Sequence, residues 1–566
     1  MCIAFLHSQL PFNPISVAVR LQYLSLCDKP AVMIPTITQR VAQWSVAQQG
    51  FFVLAILSVS WTAWRLWRFT LAPMVNKGQV KELPYLVPFL GHGIFFLRDL
   101  GGAVKYGREY FGNTRETFSV TVAGQQIYIM TSATNIAATL KSLDTFDYSS
   151  LITDIMRKFG ISSEAINILH DVPHSLINKP GRVKSLADIG EHSMKQQLNP
   201  GPKFDDFEAV LLSEIDARLT WDKLSSKALL SPNTNSPNLK AVSLIELVRQ
   251  TLVESTAIGF FGTAILQVNP AIVDTFLSFD DRLWMFLYGI PRPWSSGMRA
   301  AKEKLHDSVV AYLRLPKDQR PGAAWLASTL ETEMSGRGIS TRDLAGWLTM
   351  IFWSLSTNTW RLCFWVSAYI LHDPSLLASI RTEVLPYTSS YSSLSALHTD
   401  LSTKCNLFHS VYHETLRLVD SPISIRKITQ PVTTAMGESL PPQAFLMLIH
   451  RELMLDEKAW GADVRKFNPT RFLRGTAGEA MLRSKSYTPF GGGPMLCPGR
   501  FMARGEVMVF VALLISRFDT VPHSPEAQFP RLDTTTGYGS GILGPMKGDD
   551  IAINLSCRDL GQGLVQ

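Results

Sequence analysis

The stretch Phe490-Gly491-Gly492-Gly493-Pro494-Met495-Leu496-Cys497-Pro498-Gly499-Arg500 decides the reading of this chain. It sets one cysteine on a glycine-rich loop directly ahead of an apolar, helix-like run from Phe501 to Phe518. Glycines lack side chains, so a flat group can lie against their backbone. A helix starting behind the cysteine points free N–H groups at the sulfur and favours its thiolate form. No second cysteine or histidine stands nearby, so a lone thiolate suits the axial position of a planar iron cofactor better than a zinc cage. A structural cysteine in a glycine turn is the bland alternative.

Two upstream patterns weigh against the bland reading. In His413-Glu414-Thr415-Leu416-Arg417, Glu414 and Arg417 stand three residues apart and share one helix face. As a surface ion pair they would contribute little. Phe467-Asn468-Pro469-Thr470-Arg471-Phe472 then supplies a second arginine. These patterns, followed in order by Phe490-x-x-Gly493-x-x-x-Cys497-x-Gly499, make the chain resemble the cytochrome P450 family over roughly residues 80 to 550. The resemblance implies a mainly α fold with small β-sheets: a single large helical domain behind an N-terminal membrane anchor. It implies haem b ligated through Cys497, on a loop shaped by Phe490, Gly493 and Gly499. It also implies that Arg471 joins Glu414 and Arg417 in a charged triad behind that loop. Such a triad would be buried, so each member would depend on the other two.

Composition agrees with one large domain. The 566 residues are 46% hydrophobic and 18% charged, which allows two ordinary domains or one large one. The net charge is +7, with no basic run or aromatic–basic interleaving of the kind that grips nucleic acid. A mild basic excess fits an acidic redox partner or a membrane surface. Cys2, Cys27, Cys363, Cys405, Cys497 and Cys557 are scattered, with no CxxC. That argues for reduced thiols and a cytosol-facing domain.

From Val41 to Trp64 no residue is charged, and Phe51 to Val59 is strongly apolar. The length suits a membrane-spanning helix. The run ends in Trp64-Arg65-Leu66-Trp67-Arg68 rather than in a small-residue cleavage site, which argues against a signal peptide. Arg65, Arg68 and Lys77 favour a cytosolic downstream side, against Arg20, Lys29 and Arg40 on the other flank. The expected organisation is an N-terminal extension over 1–40, an anchor over 41–69, a proline-rich hinge over 70–93 and the haem-thiolate domain over 94–566. Residues 1–32 lack periodicity, and Met33 reads as a more usual start for an anchor. The resemblance implies a single-pass protein of the endoplasmic reticulum membrane.

Thr117–Met130 alternates around Gly124 and predicts a hairpin. Val242–Phe261, Asp274–Leu287 and Ala300–Leu313 have helical periodicity. Asp373-Pro374 reads as an N-cap followed by a proline at the first helical position.

Leu344–Leu371 is long, apolar and free of proline, and predicts one continuous helix. The resemblance makes it the helix crossing the distal haem face. Most family members carry an acid–threonine pair there; this chain has Asn358-Thr359. Asparagine can hydrogen-bond but cannot deliver a net proton. The pair and the loop together resemble the branch holding sterol 7α- and 12α-hydroxylases, prostacyclin synthase and many fungal relatives. Where most members place Arg or His two residues before the cysteine, this chain has Met495, and Ser163–Asn199 holds no Trp-x-x-x-Arg. Arg426 is the candidate partner of a haem propionate; Lys184 or His192 could supply a second. Candidate pocket residues are Phe352, Leu355, Ser356, Ile423, Ser424, Ile542 and Leu543. They are mostly apolar and suit a terpenoid, steroid, fatty acyl or polyketide scaffold.

The resemblance thus implies a haem-thiolate monooxygenase drawing electrons from NADPH through cytochrome P450 reductase. In it Cys497 is the iron ligand and Thr359 and Asn358 the oxygen-side residues. The same fold also serves reductase-independent isomerases or dehydratases of peroxides. A haem protein without turnover is a third class, which Thr359 argues against.

Overall fold

The run after Cys497 folds as the helix Arg500–Arg517, starting at Gly499 and stopping where Phe518 turns extended. From Met502 to Ser516 every residue except Arg504 is buried. Helices Thr359–His372, Pro202–Arg218, Pro374–Thr388 and Leu394–Lys404 pack around it. A helix that is apolar on nearly all faces is stable only in such an interior position. The computed structural model describes residues 44–76, 78–171, 185–230, 238–524, 526, 528–535 and 537–558. Residues 1–43, including the proposed extension and Met33, and Lys184 lie outside the described residues.

The β-structure sits beside this helical body. The largest sheet runs Lys81–Glu82, Phe118–Val122, Gln125–Met130, Phe445–Ile449, Asp420–Ile428 and Ser540–Ile542, with Phe146–Asp147 also on Asp420–Ile428. The expected hairpin is present: Phe118–Val122 pairs antiparallel with Gln125–Met130. Its turn residues Ala123 (φ 49°) and Gly124 (φ 79°) are both left-handed, which matches the twist of the strands they join. Strand Asp420–Ile428 follows directly on the Glu414–Arg417 helix, so the charged triad and the pocket strand are placed by one continuous segment. Its partner Ser540–Ile542 carries the late hairpin, with Ile542 opposite Asp420.

The expected helices form at Leu244–Phe261, Arg292–Arg314 and Pro374–Thr388, the last capped by Asp373 accepting from the Ser375 and Leu376 N–H groups. The Asp274–Leu287 segment divides into Ile272–Asp280 and Leu283–Leu287.

Leu344–Leu371 is not the single helix that its composition predicts. It forms Thr341–Ser356 and Thr359–His372, with a break at Thr357-Asn358. The cause is Asp280, whose carboxylate is fully buried at the end of Ile272–Asp280. It accepts from the Thr357 hydroxyl, from Trp360 Nε1 at 3.1 Å, and from Arg361 Nη2 at 2.8 Å. Arg361 also reaches back to the Thr357 carbonyl. One buried carboxylate thus gathers donors from both sides of the break.

At the amino end, Val46–Val75 is helical throughout; its most apolar 18-residue stretch has mean hydropathy 1.4, and none of that stretch is buried in protein. It is long and apolar enough to cross a membrane. The helix runs to Val75, past the expected end of the anchor at 69, and it is tied to the proline-rich segment that follows: Trp61 Nε1 donates to the Leu86 carbonyl at 2.7 Å, and Arg68 pairs with Glu82 at 2.8 Å. That segment joins the sheet as an edge strand, Lys81–Glu82, and Leu83 is fully buried.

Candidate active site

The site rests on the charged triad. Glu414 and Arg417 are both wholly buried, and Arg417 holds Glu414 through two bonds of 2.8 Å, from Nε and Nη2. Arg471 Nε adds contacts of 3.1 Å to both carboxylate oxygens. The remaining donors are used as well: Arg417 Nη1 bonds the Met454 and Val464 carbonyls, and Arg471 Nη2 bonds Asp463 at 2.7 Å. Such completeness is what allows ions to persist inside a protein. Asp463 is a fourth member that the sequence did not announce. Glu414, Arg417 and Arg471, named above with the cofactor, do not line the cavity that Cys497 faces. They brace the segments that carry it.

The loop closes on itself through Cys497 N–H to the Phe490 carbonyl at 3.1 Å and Leu496 N–H to the Gly493 carbonyl at 3.1 Å. Its glycines divide the work differently from expectation. A Cβ on Gly493 would stand 2.6 Å from the Leu140 carbonyl oxygen, and φ there is +64°. A Cβ on Gly492 would stand 2.9 Å from Leu140 Cδ1. These two allow Leu140 to approach, and neither faces the cavity. Gly491 and Gly499 do line it, as does Phe490.

Cys497 is a free thiol that lines this cavity. Burial pushes its pKa up; the Gly499 N–H and Arg500 pull it down but do not prevail. The helix start by itself therefore does not give the thiolate anticipated above. A coordinated metal ion deprotonates such a thiol outright.

The cavity measures about 350 Å³. Cys497, Gly499 and Ala503 line it together with Leu355, Asn358, Thr359 and Leu362 from the broken helix. Of the expected pocket residues, Leu355, Ser424 and Ile542 line it. Phe352, Ser356, Ile423 and Leu543 do not: Phe352 is buried against Phe261 and Phe276, and the Leu543 carbonyl is held by Trp365 Nε1 at 2.6 Å. Met194, Leu198 and Met502 also line the cavity and escaped the sequence reading, because apolar residues on amphipathic helices carry no local mark of which cavity they face.

Asn358 and Thr359 are on the wall, and both are engaged. Asn358 Oδ1 accepts from the Ile542 N–H at 2.9 Å. The Thr359 hydroxyl donates back to the Leu355 carbonyl at 3.3 Å. It also faces Glu506, a buried carboxyl missed in the sequence, whose signal was the one acid in the helix Arg500–Arg517. Burial pushes Glu506 up to about 8, while hydrogen bonds from Thr256 and Thr359 pull the other way.

Arg426 is buried two residues along the strand from Ser424, its guanidinium 5.7 Å over the Tyr148 ring. Burial lowers its pKa, and among the described residues its Nε has no partner. A buried, unpartnered donor of this kind fits a carboxylate such as a haem propionate. His192 is exposed and does not line the cavity. Met495 does line it, at the position where the family usually has a cation. His450 bridges Ser424 and Thr488 at 3.0 Å each; burial, then Arg426, hold it down at about 4.

A family model for cytochrome P450 matches residues 263–546, half of the chain. The chain is a cytochrome P450. Among curated proteins it is similar to cytochrome P450 monooxygenase fsoE of Humicola fuscoatra, 24% identical over 82% of this chain and 87% of that one. It is also similar to the human 7-alpha-hydroxycholest-4-en-3-one 12-alpha-hydroxylase, 23% identical over 84% and 91%. A third relative is cytochrome P450 monooxygenase efuG of Hormonema carpetanum, 22% identical over 79% and 85%. As a P450 the chain is an enzyme of the monooxygenase type with a haem-iron cofactor.

Proposed function

We propose that this P450 inserts one oxygen atom from O2 into an apolar small molecule of terpenoid, steroid, fatty acyl or polyketide type. The setting is fungal secondary metabolism, and the electrons come from NADPH through cytochrome P450 reductase. The reading is carried by one observation: a single apolar-walled cavity is lined both by the Cys497 loop and by Asn358 and Thr359. Cys497 would ligate the haem iron, Phe490, Gly491 and Gly499 form the wall of that loop, and Arg426 would bind a propionate. Bound there, haem would supply the activation of oxygen. Leu355, Leu362 and Ile542 bind the substrate by excluding water, and Thr359 holds a proton at its hydroxyl. The helix Val46–Val75 anchors the enzyme in the endoplasmic reticulum membrane with the haem domain in the cytosol.

A reductase-independent isomerase of peroxides is the second reading. It is favoured by the absence of an acid at position 358 and by the engagement of Asn358 Oδ1 with Ile542. Turnover of candidate scaffolds with and without NADPH and reductase separates the two. Product that requires both supports the monooxygenase; full conversion of a peroxide without either overturns it.

A further inference from the structure

A second cavity, about 550 Å³, opens at the surface between the helices Ser149–Lys158, Leu283–Leu287 and Arg292–Arg314. Its apolar lining comes from Met285, Phe286 and Met298. Its charged lining is one-sided: Lys158, Arg292, Arg299 and Lys302 against Glu303. The available carboxylates are already committed. Asp154 pairs with Lys158 at 3.2 Å, and Glu303 is shared between Lys302 at 3.7 Å and Arg342. Among the described residues Arg299 has only neutral acceptors, the Ser295 hydroxyl at 3.0 Å and the Ile290 carbonyl at 3.4 Å. Among the described residues neither Arg292 nor Arg299 has a carboxylate within 4.0 Å. Burial, with help from Arg299 and Arg342, lowers the Lys302 ammonium despite Glu303. The cleft therefore holds an excess of positive charge over an apolar floor.

The floor leads inward. Phe286 lies 4.9 Å from Phe159 and 6.4 Å from Trp353, ring centre to ring centre, and Phe159 lies 5.4 Å from Trp353. The two residues after Trp353, Ser354 and Leu355, line the Cys497 cavity. Phe286 is thus packed on Phe159 and Trp353, and the helix that carries Trp353 also lines the Cys497 cavity. Aromatic walls accept apolar bodies readily, and guanidinium groups at a rim grip oxyanions.

We propose that this cleft receives the anionic oxygen head of an otherwise apolar substrate, with the apolar body on the Met285, Phe286 and Met298 floor. Resting on the monooxygenase reading, this narrows the substrate class to apolar acids or acid esters: an organic carboxylate or phosphate monoester rather than a neutral hydrocarbon or alcohol.

Binding tests it without electron supply, so failed turnover and failed binding are separate results. The haem-loaded full chain, in phosphatidylcholine nanodiscs, is titrated calorimetrically with octanoate, octyl phosphate and 1-octanol, with empty discs subtracted. At least one anion is expected to bind about five- to tenfold more tightly than the alcohol, the scale of two partly exposed ion pairs. The preference shrinks in 0.5 M salt, by about the screening that exposed charges suffer. It disappears in Arg292→Gln/Arg299→Gln, both at exposed positions, and persists in a charge-matched Lys105→Gln/Lys404→Gln control. Arg292→Gln alone, whose guanidinium makes no hydrogen bond to a described residue, gives a partial loss should the double variant fold poorly. Which anion prevails identifies the head group. Equal binding of anions and alcohol, or a preference unchanged in the arginine variants, overturns the proposal. So does its abolition in phosphatidylserine discs, which would assign the cleft to membrane headgroups.

Discussion

Asn358 Oδ1 accepts a hydrogen bond from the Ile542 N–H at 2.9 Å, across 184 residues of sequence. The position where family relatives usually hold an acid is here a latch. It joins the break in the distal helix to the late hairpin, and both ends line the same cavity. Gly541 is shaped to this contact: φ is +111°, and a Cβ there would stand 2.5 Å from Asn358 Oδ1.

Asn358→Ala is expected to cost about 1 kcal/mol, the scale of one hydrogen bond, and more where the Ile542 N–H is left without an acceptor. Asn358→Asp keeps the acceptor, so its melting temperature should stay close to wild type. Gly541→Ala should be worse than either, since it is both strained in backbone and crowded. Melting curves of the three variants check the order. If Asn358→Ala melted like wild type, the latch would be dispensable.

Glu414→Ala leaves Arg417, with no exposure at all, and the largely buried Arg471 without their shared anion. Breaking a buried pair from one side costs roughly 3–5 kcal/mol, a large part of a typical domain's stability. Expression should yield little haem-loaded protein. Normal haem content would show that Asp463 and the backbone carbonyls suffice to hold both arginines.

Cys497→Ser should abolish the thiolate-type absorption of the reduced carbon monoxide complex, because a hydroxyl is a poor ligand for ferrous haem. A spectrum identical to wild type would remove Cys497 from the axial position.

Glu506 gives a pH dependence whose sign can be worked out. Burial raises its folded value to about 8 from a reference of 4.5. Between those values the unfolded chain has released the proton while the native state still holds it, so stability falls as pH rises through the window. The slope from this one group is at most about 1.4 kcal/mol per pH unit. Below the reference value the group is protonated in both states and contributes no slope. Glu506→Gln should therefore unfold in urea with a shallower loss of stability between pH 5 and pH 8 than wild type. Parallel profiles would mean that water reaches the carboxyl.

What the sequence made legible was local and covalent in spacing. The Cys497 loop, the Glu414–Arg417 pair and Arg471 each sit in a short pattern, and the structure joins the last three in one buried cluster. The hairpin at Ala123-Gly124 and the cap at Asp373 were readable for the same reason: turn and cap chemistry lies within four residues. The break at Thr357-Asn358 was not readable, because its cause, Asp280, stands 77 residues upstream and arrives only by folding. Leu140 is likewise remote from the loop whose Gly492 and Gly493 admit it. Periodicity identified helices but not which of their apolar residues face the cavity, so Leu355 was found together with Phe352, which points into the core instead.

Thr359 is where the monooxygenase reading is most exposed to test. Productive use of O2 consumes protons, and an apolar cavity offers few donors. Asn358 cannot supply one, and its carbonyl oxygen is already held by Ile542. The Thr359 hydroxyl lines the cavity, bonds the Leu355 carbonyl at 3.3 Å, and interacts with the Glu506 carboxyl, which burial pushes up to about 8. It is therefore placed to hold a proton at the cavity wall. Thr359→Ala should lower product formed per NADPH oxidised, by roughly tenfold or more if it is the principal donor. Peroxide release should rise, while substrate affinity changes little, since one small side chain is lost from a wall made mostly of apolar groups. An isomerase needs no proton delivery to O2, so the same substitution would act on it only through packing. Coupling efficiency is the measurement that decides. Unchanged product per NADPH in Thr359→Ala would move proton supply to another group on the wall, with Ser354 and Ser424 the next to replace.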